Sequence, residues 1–260
     1  MRKQTVPVLP GTKHCPMCGS AVRVASQAGG YATARQFIPI DVEREPSVLA
    51  SVDSETSDRL REDRKGKKTV ALVGMASTSC SLAPFEEPGV EIWGVNEEHA
   101  FPWFKGATAW FQLHKFFLPK RNVYNHEDWL KEEHGFPIYM QFVNDKYPNS
   151  VEYALEQIKK RVFGNIHKGK DLFASFTSTF AYQMALALYQ GFERIEIYGF
   201  DMSAADEFAP QKACAEFWIG YALGMGVEIY LPPDCQLLWG PLYAYQGFGH
   251  VNIVLENNIG

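Results

Sequence analysis

The run from Phe176 to Met202, FTSTFAYQMALALYQGFERIEIYGFDM, constrains the fold more tightly than any other stretch of the chain. It opens on three hydroxyls, Thr177, Ser178 and Thr179, and continues as an Ala-, Leu- and Met-rich helical pattern from Phe180 to Tyr189. Gly191 stops that helix, because glycine takes the left-handed conformation past a last turn at little cost. Ile195 to Gly199 then reads as a buried strand of β-branched and aromatic residues, ending in Gly199 and Asp201. Hydroxyls at a helix start leave backbone N–H groups and a positive dipole end, which suit an anion. An acid at the carboxyl end of a parallel strand stands where open α/β sheets hold their ligands.

The same alternation extends through the chain. Thr69 to Gly74 (TVALVG) is a continuous apolar strand followed by the small-residue loop Met75 to Ser79, a phosphate-loop-like turn in which hydroxyls replace a second glycine. Glu91 to Asn96 is a second strand and Ala107 to His114 a third, ending in Gln112 and His114. Phe136 to Val143 reads as a fourth strand, Tyr147 to Phe163 as one amphipathic helix, Gln211 to Leu223 as another, and Val227 to Leu231 as a last strand. His126 and His134, flanking a short acidic helix, read as surface residues. Strands alternating with helices imply a Rossmann-like α/β fold, a parallel sheet with helices on both faces. Polar residues at consecutive strand ends would then line one crevice. At 46% hydrophobic and 14% aromatic, the 260-residue chain has material for one large core and a small appendage.

That appendage is expected at residues 1–40, which carry the knuckle Cys15-Pro16-Met17-Cys18-Gly19. Such a turn aims two thiolates at one metal, as in a zinc ribbon, and a structural zinc asks for four ligands. No second CxxC follows nearby, so His14 or the knuckle of a second subunit in a homo-oligomer would complete the set. A metal-free degenerate ribbon or a redox pair is the alternative. Residues 41–68 are charged and serine-rich and read as a linker with a frayed helix around Asp58 to Arg64; residues 69–260 form the nucleotide-binding domain. The chain has no apolar run of membrane-spanning length and opens on the polar MRKQTVPVLPGTKHC, so the expected setting is cytoplasmic. Five scattered cysteines argue against a disulfide framework, and a net charge of −5 argues mildly against bulk nucleic-acid binding. The basic aromatic stretch His114 to Arg121 keeps phosphate or base contacts open, beside a reading in which its Phe residues pack inward.

In order and spacing, the motifs VALVGMASTSCSL, EIWGVNE, AWFQLH, the central run and VEIYLPPDCQLL resemble the bacterial lipooligosaccharide sialyltransferases. They equally resemble the related DUF115 group, which includes an archaeal pterin diphosphokinase, and phage proteins of that superfamily, which would place the chain in a host cytoplasm. The resemblance covers roughly residues 69–240. It implies a nucleotide-sugar donor held by Gly74, Ser77, Ser79, Asn96, Ser178, Thr179 and Gly199, with Phe180 where the family has a glycine. One departure matters: between Asp201 and Gln211 there is neither the family's histidine base nor its tyrosines. Sialyl chemistry therefore does not follow, and a base must come from Glu207, Asp206 or Asp201, with His114 next in line. The leading expectation is a nucleotide-sugar-dependent glycosyltransferase acting on a glycan or a modified nucleic-acid base. ATP-dependent diphosphate transfer, with magnesium at Asp201 and Asp206, and non-catalytic nucleotide binding remain beside it.

Overall fold

The computed structural model describes residues 53–114, 123–164, 175–203 and 208–239. Seven strands form one wholly parallel sheet: β1 (Thr69–Val73), β2 (Val90–Val95), β3 (Ala109–Phe111), β4 (Ile138–Met140), β5 (Ser150–Glu152), β6 (Arg194–Tyr198) and β7 (Glu228–Tyr230). Their order is β5-β4-β3-β2-β1-β6-β7. The chain thus walks outward from β1 to one edge and returns to the other side of β1. The carboxyl ends of β1 and β6 are the topological switch point, where a sheet of this kind opens its crevice.

Both β1 and β6 are buried along their whole length and covered on two faces: β1 as a nearly continuous apolar run, β6 with Ile195 and Ile197 on one face and the paired Glu196 on the other. Three helices cover one face. They are α3 (Leu155–Phe163), α4 (Thr179–Tyr189) and α5 (Ala213–Gly224), packed on Val70, Leu72, Trp93, Val95, Phe111, Ile195 and Ile197. Helix α4 is apolar nearly all round and is accordingly the innermost element. Its end follows the expectation for Gly191, whose φ is +73°. The Phe192 amide donates to the Ala187 carbonyl at 3.1 Å, the six-to-one bond of a Schellman cap, and the chain turns straight into β6. Gly226 and the Val227-to-Ala222 bond repeat the device between α5 and β7.

The opposite face carries two short helices, α1 (Ser54–Arg64) and α2 (His126–Lys131), with Phe85, Trp103, Phe104 and Trp129. The lead-in to β1 is a docked helix here. Asp53 caps it through the Thr56 amide at 2.7 Å, and Leu60 is buried beneath it. Arg64 reaches the fully buried Glu196 of β6 with two hydrogen bonds, 2.9 and 2.7 Å, while Arg194 and the Tyr198 hydroxyl supply one each at 2.8 Å. Burial pushes the Glu196 carboxyl up, but these partners outweigh it and hold it below the usual carboxylate range.

Two expectations are corrected. Tyr147 to Phe163 is not one helix: Ser150–Glu152 pairs with β4 as an edge strand before α3 begins. Val151, Ala154, Leu155, Ile158 and Val162 keep a helical spacing straight through it, so periodicity hides the strand. Tyr153 makes the break, its amide donating to Met140 and its hydroxyl to the Tyr182 carbonyl. His126 is not a surface residue either; it is fully buried, and His134 is half-buried against Trp129.

Candidate functional site

The loops after β1 and β6 interlock at the switch point. The Gly74 amide donates to Tyr198 and the Ala76 amide to Gly199, both at 2.8 Å, extending the β1–β6 pairing past the strands. A methyl group on Gly199, whose φ is +68°, would stand 2.1 Å from the Gly74 carbonyl oxygen. One on Gly74 would stand 2.5 Å from the Gly199 oxygen and 2.8 Å from the Phe200 ring. These two glycines let one backbone lie directly on the other. Ser79, fully buried, tightens the contact by accepting from the Gly199 amide at 2.9 Å. Asp201 accepts from the Thr78 hydroxyl at 2.8 Å and from the Gln236 amide at 3.4 Å. Gly74, Ser79, Gly199 and Asp201 therefore come together as the floor of the crevice, facing one another. Ser77 stands exposed on the same loop.

Around this floor sit groups with unspent hydrogen-bonding capacity. Asn96, at the carboxyl end of β2, is held at φ +51°, and its Oδ1 is buried without a partner among the described residues. A left-handed asparagine is tolerated because its short amide side chain substitutes for local backbone bonding, yet here that acceptor is unused. Ser178, extended at φ −150°, precedes Thr179 at the start of α4 and makes no side-chain capping bond; its Oγ is also buried and, among the described residues, unpartnered. The start of α4 is fixed to the crevice floor by Phe180, whose ring packs 4.9 Å from that of Phe200. The first amides of the helix thus carry their partial positive charge at the sheet's carboxyl edge. Leaving a buried acceptor unpaired costs about 1–3 kcal/mol, and two occur at one edge.

Two further constellations stand at this edge. Glu98, completely buried, accepts from the Val95 amide at 3.0 Å with one oxygen and leaves the other without a partner. Burial drives its carboxyl well above the usual carboxylate range. Beside it, His99 stacks 4.3 Å from the Trp129 ring. Its Nε2 meets His126 Nδ1 at 2.9 Å, and His126 Nε2 meets Gln112 Oε1 at 2.9 Å. Because the amide oxygen only accepts, His126 donates from Nε2 and receives the His99 proton donor on Nδ1. Burial pushes His99 down to about 4 and His126 down to about 3, so both rings are neutral. Sequence reasoning missed this chain because NEEHAF reads as an ordinary polar turn. The polar ending of β3 in Gln112 was its one visible trace.

The remaining expected residues fall elsewhere. His114 is exposed at the end of β3, close enough to lower His126 electrostatically. Asp206 and Glu207 lie outside the described residues, as do Cys15 and Cys18 of the knuckle. The chain re-enters description at Phe208, and the Pro210 carbonyl accepts from Thr177 at 3.0 Å, which tethers this stretch to the start of α4. Among the described residues, no group of three His, Cys, Asp or Glu side chains is placed to hold a metal ion, and no helix is long and apolar enough to cross a membrane.

Comparison with solved structures places this architecture beside sialyltransferases of Campylobacter jejuni. CstII in complex with cytidine-5'-monophosphate aligns over 65% of this chain and 80% of its own, at 13% identity and a TM-score of 0.43. CstII with CMP-3FNeuAc gives 14% identity and 0.45 over the same shares. The monofunctional alpha-2,3-sialyltransferase Cst-I gives 15% identity and 0.43 over 66% and 77%. The fold and the chemistry are argued from this chain's own residues. No family model and no curated protein matches the chain.

Proposed function

We propose that this chain is a nucleotide-sugar-dependent glycosyltransferase whose donor lies across the carboxyl ends of β1, β2 and β6. The observation that supports this placement most directly is the buried, unpartnered Oδ1 of Asn96 at the crevice, opposite a helix start whose Ser178 hydroxyl is equally unspent. A ligand bearing O–H or N–H donors and an anionic phosphate satisfies both ends at once: its ribose or base edge meets Asn96, and its phosphate meets the first amides of α4. The donor class comes from the order of the sequence motifs.

In the proposed reaction an acceptor hydroxyl gives its proton to a carboxylate in the segment between Ser203 and Pro210, Glu207 or Asp206. The acceptor oxygen bonds to the anomeric carbon as that carbon's bond to the donor phosphate breaks, and the electron pair leaves on the phosphate oxygen. The start of α4 stabilises that charge. Asp201, with both oxygens engaged by Thr78 and Gln236, has a positioning role in this scheme and braces the two loops.

The test is a thermal-shift panel of nucleotides and nucleotide sugars, since a ligand that binds only the folded state raises its melting temperature. Calorimetric titration of Asn96→Ala with the selected ligand follows. Affinity is expected to fall by about 1–3 kcal/mol, the cost of an unpaired buried partner. Unchanged affinity in a folded variant would refute the placement. Binding without hydrolysis or transfer of the donor would instead favour a nucleotide-sugar binding protein.

A further inference from the structure

The turn that begins at Asn96 continues into an aromatic shelf that the donor crevice does not use. Phe101 and Trp103 lie 5.9 Å apart with their planes 21° from parallel, an offset stack. Tyr124 stands against Phe101 at 5.4 Å and 59°, a wall at its side, and is 39% exposed. Phe101 and Trp103 are also partly exposed. Trp103 is also held against Phe85 at 6.4 Å and edge-on against Phe104 at 6.0 Å. The wall is set by an unusual backbone: Tyr124 and Asn125 are consecutive non-glycine residues at φ +58° and +54°. Each is a strained conformation that persists only where surrounding structure enforces it.

We infer that Phe101, Trp103 and Tyr124 form the acceptor subsite, and that the acceptor is a neutral carbohydrate. This rests on the glycosyltransferase reading and adds to it the class of acceptor. A pyranose presents a flat face of C–H bonds to an aromatic floor and its hydroxyls to the rim. The charges flanking the shelf suit that occupant. Glu86 and Glu97 stand in sequence beside Phe85 and Phe101, and Glu127 and Asp128 follow Tyr124, these two paired with Lys131 at 3.6 and 3.0 Å; all are carboxylates able to accept from hydroxyls, and the first two disfavour a phosphate backbone. Of the cations beside them, Lys105 donates to the Pro102 carbonyl at 2.9 Å and Lys131 to Asp128 at 3.0 Å. Position agrees as well: Phe101 lies five residues beyond Asn96 on the same turn, so a sugar stacked there is carried by the element that holds the donor. The competing occupant is a single-stranded nucleic acid, whose bases also stack on aromatic rings and whose phosphates suit a basic run such as Lys115, Lys120 and Arg121 in the sequence.

The experiment is saturation-transfer NMR of the full-length protein with lactose, cellobiose, maltotriose and N,N′-diacetylchitobiose, and with an unstructured twelve-nucleotide DNA in a parallel arm. At least one oligosaccharide is expected to receive saturation on its C–H face. Its affinity is expected to fall five-fold or more in Tyr124→Ala and in Trp103→Ala, and to be largely kept in Tyr124→Phe. Tyr124 is exposed, so its variants report even if the Trp103 variant fails to fold. No transfer to any of the four sugars, equal affinity in Tyr124→Ala, or DNA binding lost in that variant would each overturn the inference. The nucleotide thermal shift of Tyr124→Ala separates the two readings. A retained shift with lost sugar binding supports the shelf, a retained shift without sugar binding in wild type removes the shelf alone, and no shift in wild type removes the donor reading as well.

Discussion

Replacing Arg64 with alanine removes two of the four hydrogen bonds that keep the Glu196 carboxylate ionised inside the fold. The Glu196 side chain is wholly inaccessible and that of Arg64 only 10% exposed, so solvent replaces little of what is lost. Breaking a buried pair from one side typically costs about 3–5 kcal/mol, because a charge is left behind uncompensated. Here Arg194 and Tyr198 remain, which places the expected loss nearer about 2–4 kcal/mol. Set against a whole-domain stability of roughly 5–15 kcal/mol, that shift moves the urea midpoint by about 1 M. Its pH dependence has a definite sign. A carboxyl held below its unfolded value stabilises the fold above that value, about pH 4.3, and loses the contribution as pH falls through the folded value. The penalty of Arg64→Ala is therefore full at pH 7 and shrinks below about pH 4. Arg64→Lys, keeping charge without the bidentate fork, should recover part of it. A change under about 0.5 kcal/mol at pH 7 would refute the reasoning and return α1 to the status of a solvated lead-in.

Gly199→Ala should destabilise by about 2–4 kcal/mol in chemical unfolding, since both its left-handed φ and the Gly74 oxygen oppose a methyl group. The neutral His99 and His126 rings stabilise the fold above their unfolded value near pH 6.5 and lose that contribution on acidification towards their folded values of about 4 and about 3. Wild-type melting temperature should thus fall from pH 7 to pH 4, with a flatter slope in His126→Gln. Glu207→Gln should abolish transfer while leaving donor affinity within a few-fold in titration; full activity in both Glu207→Gln and Asp206→Asn would move the base to another residue.

The sheet was legible because its strands announce themselves chemically. TVALV is a β-branched and apolar run, and RIEIY sets Ile and Tyr in a short strand pattern; both are closed by glycine, which favours a buried parallel strand. The edge strand Ser150–Glu152 was illegible because three residues within a longer helical period leave no pattern of their own. The crevice was readable to the extent that strand ends, glycines and a helix start fix its position. How those residues spend their hydrogen bonds was not. Ser79 looks like a phosphate contact in sequence, and in three dimensions its oxygen takes the Gly199 amide. Glu98 and His99 look like solvated turn residues, and both are drawn inward by tertiary packing around Val95 and Trp129. Linear order carries little information about such partners, because the groups concerned meet only when β1, β2 and β6 are side by side.

The return of the chain to β1 has a further consequence for how the protein is made. Thr69 pairs with Val90 on one side and with Arg194 on the other, so one neighbour is synthesised at once and the second some 125 residues later. At about 5–20 residues per second, the β6 side of β1 stays open for roughly 6–25 s on the ribosome. Throughout that interval an apolar strand presents an unpaired edge, and the largely apolar helix α4, made just ahead of β6, joins it exposed at the end. Ribosome-stalled chains ending before residue 194 should therefore recruit chaperone and aggregate on release, whereas chains extended beyond residue 239 should not. The nascent chain is vulnerable until the strand bearing Glu196 emerges to meet Arg64, already waiting at the other end of the described fold.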